Sequence, residues 1–313
     1  MSLEVLLTLS KYLTFLSSFA FVGLLLAMSL LTVNSDGNLS ANSLVLRRKA
    51  SLIGLLWFFS SFIYIIATLA DILGVSFTDA LDMTTVRSFV SQVLIGRYLL
   101  VQTLVAFLAG YLILRFKRVI PTLILLLISL IAIAAPALES HSASGGSHAL
   151  ATGSMLLHVA GLTLWAGGLF ALIFISAEDR KYAVPRFSAM ALWAAIVVVL
   201  SGLINAWARL NFREAWDTTY ARVIILKTIL TAILLFMGYL HRKNLSLREK
   251  IDWRVLTRLI TAEVALMAVV TAIGIWLSLN ASPDRVIEPV IPAAPTFSRI
   301  LWAYDPDVFF IGV

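Results

Sequence analysis

The chain has 313 residues, 60% hydrophobic and only 13% charged, with a formal net charge of +7; water-soluble domains keep about a quarter of their residues charged, so a soluble globular fold is excluded. The excess of Lys and Arg does not point to nucleic acid, because these residues stand in short clusters between apolar runs, where they set membrane topology. With no cysteine in the chain, disulfides, thiolate metal sites, iron–sulfur clusters and cysteine nucleophiles fall away, and any metal must be held by His, Met or carboxylate.

Eight apolar runs follow one another, at 13–33, 50–70, 94–114, 119–138, 150–177, 187–208, 221–240 and 259–279. Each is near the roughly 20 residues that a helix needs to cross the hydrocarbon core. The first is long for a signal-peptide core and is followed by a basic cluster, so it reads as a retained span. The expected fold is all-α: a polytopic membrane helical bundle whose main domain covers 1–280, with its histidine- and motif-rich part at 141–244. A Pro-rich linker follows at 281–296, and then a segment at 297–313.

The connections alternate in charge. Arg47, Arg48 and Lys49; Arg115, Lys117 and Arg118; Arg180, Lys181 and Arg186; and Arg242, Lys243, Arg248, Lys250, Arg254 and Arg258 fall in every second one, and the others hold far fewer basic residues. The rule that basic loops stay in the cytoplasm places these inside and both termini outside. Gly96-Arg97 through Gln102, opening span three, resembles Ala221-Arg222 through Lys227, opening span seven. Arg47-Arg48-Lys49-Ala50-Ser51 echoes Pro185-Arg186-Phe187-Ser188. The copies lie four spans apart, an even number, which predicts a four-plus-four parallel repeat about an axis along the membrane normal. The plainer account of an Arg at the mouth of a span is snorkelling to headgroups.

Three of the four histidines, His141, His148 and His158, sit in one short segment before and within span five, on the expected outer side; His241 is alone on the other. Met155 and His158 are three apart and share a helical face, and imidazole with thioether is a ligand set suited to Cu(I). His148 precedes His158 by ten residues, about 15 Å of ideal helix, too far for one ion if the helix is continuous. The Ser/Gly run 140–147 and Gly153 offer places for a bend. The candidate metal ligands are therefore His148, His158, Met155 and His141. Against them stands the ordinary fate of such residues, an interfacial histidine and a packing methionine.

Lys227 falls within span seven and Glu263 within span eight, where an ionisable group is costly enough to be a functional candidate. Their depths differ by roughly 15 Å, so Lys227 either snorkels outward or meets Asp71 or another acidic group. Arg97, Arg222, Asp71 and Arg209 fall at one outer level, as a charged vestibule or as partners of headgroups. Gly161, Gly167 and Gly168 give span five a small surface for close helix packing. Trp207, Trp216, Trp253 and Trp276 fit an interfacial belt.

His158 with Leu164-Trp165-Ala-Gly-Gly168-Leu169, then Arg186-Phe187-Ser188, Ser201-Gly202-Leu-Ile-Asn205-Ala206, Thr219-Tyr220-Ala221-Arg222 and Leu226-Lys227 resemble the copper resistance protein D (CopD) family of bacterial inner-membrane proteins. The likeness is densest from about 148 to 244; the family's Tyr-Gly-Arg reads Tyr220-Ala221-Arg222 here. The resemblance implies copper as the bound or transported ion, moved inward across the bacterial cytoplasmic membrane, in places with an outer CopC-like copper carrier. Trp165, Asn205, Arg97, Arg222, Lys227 and Glu263 are the further pathway or motif residues. After the Pro-rich stretch, Phe297 to Pro306 resembles the start of a CtaG-type domain of cytochrome oxidase copper assembly. The segment 297–313 is thus expected to open the second half of a CopD–CtaG fusion.

The chain carries no nucleotide-binding loop of the Gly-x-x-x-x-Gly-Lys-Ser/Thr kind, so transport is expected to be passive or ion-coupled, and no enzymatic activity is expected. A haem-bearing redox protein is the rival of another class. His158 and His241 lie near opposite faces and no other span holds a histidine, which counts against bis-His ligation but leaves a Met second ligand open. A copper-binding assembly subunit that moves nothing is the third reading.

Overall fold

The computed structural model describes residues 2–138, 148–210, 213–247 and 253–280. Eight helices among them are long and apolar enough to cross a membrane. In chain order they are α1 (Leu3–Leu26, running on through a π-helical turn at Ala27–Leu31), α2 (Ala41–Leu73), α4 (Leu94–Leu112), α5 (Val119–Ala134), α6 (His148–Leu172), α7 (Ala177–Arg209), α8 (Thr219–Leu247) and α9 (Trp253–Leu279). A short amphipathic helix, α3 (Met83–Gln92), lies between the second and third spans.

The apolar runs place the crossings, but caps place the helix ends. Ser40 accepts from the Ser43 amide at 3.1 Å and Ser176 from the Asp179 amide at 3.3 Å, so α2 and α7 begin well before their apolar runs and carry Arg47 and Arg186 on helix. The run expected at 150–177 is divided: α6 stops at Leu172 and the chain turns before the Ser176 cap. Side chains facing outward are apolar, among them Leu52 (68% exposed), Ile131 (69%) and Trp193 (68%), which in water would be a fault and in lipid is the requirement. Buried hydroxyls turn back on their own helices: Ser29 donates to the Leu25 carbonyl at 2.7 Å and Thr163 to that of Val159 at 2.7 Å.

α1 and α6 cross at the centre of the bundle with their backbones touching. A Cβ on Gly23 would stand 1.8 Å from the Gly167 carbonyl oxygen, and one on Gly167 would stand 2.1 Å from that of Phe19, so only glycine fits on either side. Around this crossing the neighbours repeat. α1 packs on α2 and α5 as α6 packs on α7 and α9; α4 packs on α5 as α8 on α9; α1 touches α9 as α6 touches α5. This is the pattern expected of a four-plus-four parallel repeat. α2 and α7 are each 33 residues long, and they meet at the basic end, where the Asn42 amide donates to the Asp179 carboxylate at 3.0 Å. The basic residues opening them reach across reciprocally: Arg186 donates to the carbonyls of Leu31 and Thr32 at the end of α1 (3.2 and 2.9 Å), and Lys49 lies 4.3 Å from the Phe174 ring just past the end of α6. A cation at a helix C-terminus meets the negative end of the dipole and its unpaired carbonyls.

The halves differ in one contact. α2 and α4 pack along a seam where a Cβ on Gly54 would lie 2.7 Å from the Gly110 Cα. α7 and α8, their counterparts, barely touch. The second half is therefore open where the first is closed.

Candidate metal site

Gly161 starts the site. A Cβ there would meet the Ala194 carbonyl at 3.3 Å and the Val198 side chain at 3.1 Å, so its absence lets α7 approach α6. One turn earlier on α6, His158 meets α7 in turn. Its Nδ1 is 3.1 Å from the Val198 carbonyl oxygen and 3.1 Å from Ser201 Oγ, and Gly202 leaves room for the ring, with Cε1 3.4 Å from where a Cβ would stand. A carbonyl can only accept, so Nδ1 carries the hydrogen. The Ser201 hydroxyl donates to the Val197 carbonyl at 2.5 Å and is left to accept. In its neutral form the imidazole then holds its lone pair on Nε2, in the orientation that ligating histidines have when the other nitrogen is tied to a backbone carbonyl.

Met155, one turn earlier on the same helix, is partly buried and packs against the main core. α6 runs without a break from His148 through Gly153. His148 and His158 thus stand about 15 Å apart along one continuous helix. His141 lies outside the described residues. Among the described residues no group of three His, Asp or Glu side chains converges as a metal site. Among the described residues, the imidazole of His158 and the thioether of Met155, three apart on one helix, are soft donors of the kind that suits Cu(I) better than a hard divalent ion.

The electrostatic neighbours of His158 are cationic: Lys227 of α8 and Arg209 of α7. Lys227 lies against α9 where a Cβ on Gly274 would come 3.1 Å from Nζ. Glu263, buried at 5% exposure, is eleven residues earlier on α9, roughly 16 Å away along the helix, so the two differ in depth as their spacing predicts. Lys227 makes no ion pair among the described residues; neither Asp71 nor another carboxylate reaches it. Asn205 donates to the Ser201 carbonyl at 2.8 Å and so braces the turn of α7 that holds His158. Trp165, 8% exposed, packs in the main core. Arg97 and Arg222 stand exposed at matching fourth positions of α4 and α8, Arg97 donating to the Ser91 carbonyl at 2.8 Å.

Two family profiles match the chain. "Copper resistance protein D-like, N-terminal domain" matches residues 2–150, and "Copper resistance protein D" matches residues 181–277. The chain belongs to the copper resistance protein D family. Among curated relatives, the Copper transport protein CutJ of Bacillus subtilis (strain 168) is 27% identical over 143 residues, 42% of this chain and 26% of that protein. The chain thus matches about a quarter of the length of that relative. No solved structure matches it. This CopD-family chain is accordingly a multi-pass membrane protein of copper resistance and transport kinship. His158, Trp165 and the α1–α6 crossing glycine Gly167 lie between the two matched segments, so their roles are argued from geometry.

Proposed function

We propose that the chain carries copper, as Cu(I), across the cytoplasmic membrane, taking it from the histidine end and releasing it at the basic end. The observation that carries this reading is the fixed imidazole of His158: Nδ1–H on the Val198 carbonyl, Nε2 presented as a donor, and the Met155 thioether one turn away on the same helix. His148, ten residues nearer the end of α6, and His141 before it are the first ligands an arriving ion meets. The thin contact between α7 and α8 leaves the second half able to admit an ion without breaking a packed seam. Lys227 and Arg209 repel a cation, which limits its residence at His158 and favours onward movement, as conduction requires.

The charge pattern supports both termini outside and the basic loops in the cytoplasm. An outer CopC-like carrier and a CtaG-like domain beginning at 297–313, beyond the linker 281–296, fit the same route as donor and as companion in oxidase copper assembly. The test is copper entry into proteoliposomes enclosing a Cu(I)-selective indicator under anaerobic conditions. Uptake above protein-free vesicles, strongly reduced in His158→Ala and reduced in Met155→Leu, is the expected result. Copper bound without uptake would leave a binding subunit in place of a carrier, and equal uptake by wild type and His158→Ala would remove His158 from the path.

A further inference from the structure

The seam between α1 and α2 carries polar groups that take no part in the His158 site. Thr14 (1% exposed), Ser61 (2%) and Trp57 (0%) are buried there, and Thr14 Oγ1, Ser61 Oγ and Trp57 Nε1 have no hydrogen-bond partner among the described residues. Other buried hydroxyls nearby turn back on their own helices: Ser10 donates to the Leu7 carbonyl at 3.0 Å, and Thr103 of α4 to that of Leu99 at 2.8 Å. Ser17 and Ser60 face each other across the same seam with 3.4 Å between their oxygens. Each gives its hydrogen to its own helix, Ser17 to the Leu13 carbonyl at 2.5 Å and Ser60 to that of Trp57 at 3.0 Å, so each turns lone pairs towards the other.

The register of the seam gathers these groups. The Phe21 and Trp57 rings are 5.7 Å apart, Ser17 meets Ser60, and Lys11 Nζ is 5.9 Å from the Tyr64 ring, so the antiparallel helices pass Thr14 and Ser61 within about one turn of each other. On α4, whose Gly110 meets Gly54 of α2, Gln102 is buried at the same level. The second half holds His158 at the corresponding place. Ser61 and Val198 each stand ten residues past the echoed serines Ser51 and Ser188, and Gln102 answers Lys227 in the paired openings of spans three and seven. Thr14 thus stands against Ser61 as His158 stands against Val198.

A polar group inside the bilayer has no bulk solvent to turn to, and buried polar groups that lack a protein partner are met by bound water or an ion. The groups here ask for both kinds of partner. The indole N–H of Trp57 can only donate, the lone pairs of Ser17 and Ser60 can only accept, and the hydroxyls of Thr14 and Ser61 do both. A metal cation would serve the lone pairs and leave the N–H unmet, an anion would do the reverse, and water serves both. We infer that the α1–α2 seam binds water, in a short file from Thr14 and Ser61 past Ser17 and Ser60 to Trp57, at the level at which the second half holds His158.

The test is X-ray radiolysis of the purified full chain in detergent, read by mass spectrometry. Ionising a bound water in place creates a hydroxyl radical that oxidises the side chains against it, and the indole of Trp57 is the readily oxidised group here. Trp57, although 0% exposed, should be oxidised in wild type. Thr14→Val/Ser61→Ala, which nearly preserves volume while removing two partners of the water, should lose that label. Ser10→Ala, which removes a hydroxyl bonded to its own helix, should keep it. Thr14→Val or Ser61→Ala alone should lower the label, and these single variants carry the test should the double variant not fold. No oxidation of Trp57 in wild type, or equal oxidation in wild type and the double variant, would overturn the site. A rise in unfolding temperature with sodium chloride but not with choline chloride, lost in Thr14→Val, would put a cation in place of the water and overturn it as well.

Discussion

Replacing Gly167 by Ala probes the contact on which the bundle turns. The new Cβ would lie 2.1 Å from the Phe19 carbonyl oxygen, 2.9 Å from its carbon and 3.1 Å from the Gly23 amide nitrogen. All three are backbone atoms, so no side chain can swing aside, and an ordinary carbon–oxygen contact requires α1 and α6 to separate by about 1 Å. A gap of that size forfeits a quarter to a half of each dispersion contact along the seam, and overpacking a fitted interior costs about 1–3 kcal/mol. Gly238 has nothing within 4 Å of its would-be Cβ, and an Ala there improves helix propensity. Thermal or denaturant unfolding in detergent should therefore show Gly167→Ala destabilised by about 1–3 kcal/mol and Gly238→Ala unchanged or slightly stabilised. Equal stability of the two variants would refute a glycine crossing between α1 and α6, and with it the geometry that sets the height of His158.

Three further outcomes follow from the same structure. Ser201→Ala removes one of two partners of His158 Nδ1 but leaves the Val198 carbonyl, so Cu(I) affinity in a competition titration should fall by no more than about tenfold, the worth of one hydrogen bond; complete loss would mean that the carbonyl does not hold the tautomer. Lys227→Gln removes a unit positive charge that acts on His158, so Cu(I) affinity should rise by roughly tenfold, a repulsion on the order of 1 kcal/mol at an effective dielectric of about 20; unchanged affinity would place the ion elsewhere. Asp82, outside the spans, caps α3 by accepting from the Thr85 amide at 2.8 Å, and this bond, then that from the Thr85 hydroxyl, holds its carboxyl below the usual carboxylate range. A group whose folded pKa is depressed stabilises above its unfolded pKa and loses that contribution as the pH falls through the folded value. Amide protection in α3, taken relative to the intrinsic exchange rate at each pH, should fall on acidification below the ordinary Asp range in wild type, and Asp82→Ala should show low protection throughout.

The eight crossings were legible because each needs a long apolar run, and nothing else in this chain resembles one. Helix ends were not: Ser40 and Ser176 decide them through single hydrogen bonds, and an apolar run stops at the membrane surface whether or not the helix does. α3 escaped notice because ten residues of mixed polarity lie below the length at which periodicity is informative, although Asp82 three residues before Thr85 carried a capping signal. The repeat was visible in two short echoes, and the reciprocal reach of Arg186 and Lys49 gives them physical sense. Of the histidine segment, spacing identified the shared face of Met155 and His158 and the distance to His148, both local helical properties. Val198 and Ser201 could not be identified as partners of His158, since they come from a helix some 40 residues away whose approach is set by Gly161 and Gly202. Lys227 and Glu263 were separable in depth by counting alone, while the glycine against which Lys227 lies, Gly274, carries no signal in sequence.

The central claim is that His158 presents Nε2 to copper. An anaerobic Cu(I) competition titration on the purified chain, wild type against His158→Ala, tests it most directly. The account predicts a saturable site in wild type that is lost in the variant, with the variant's unfolding midpoint confirming an intact fold. A titration curve unchanged by His158→Ala, or no saturable binding by wild type, would contradict it and return His158 to a structural role between α6 and α7.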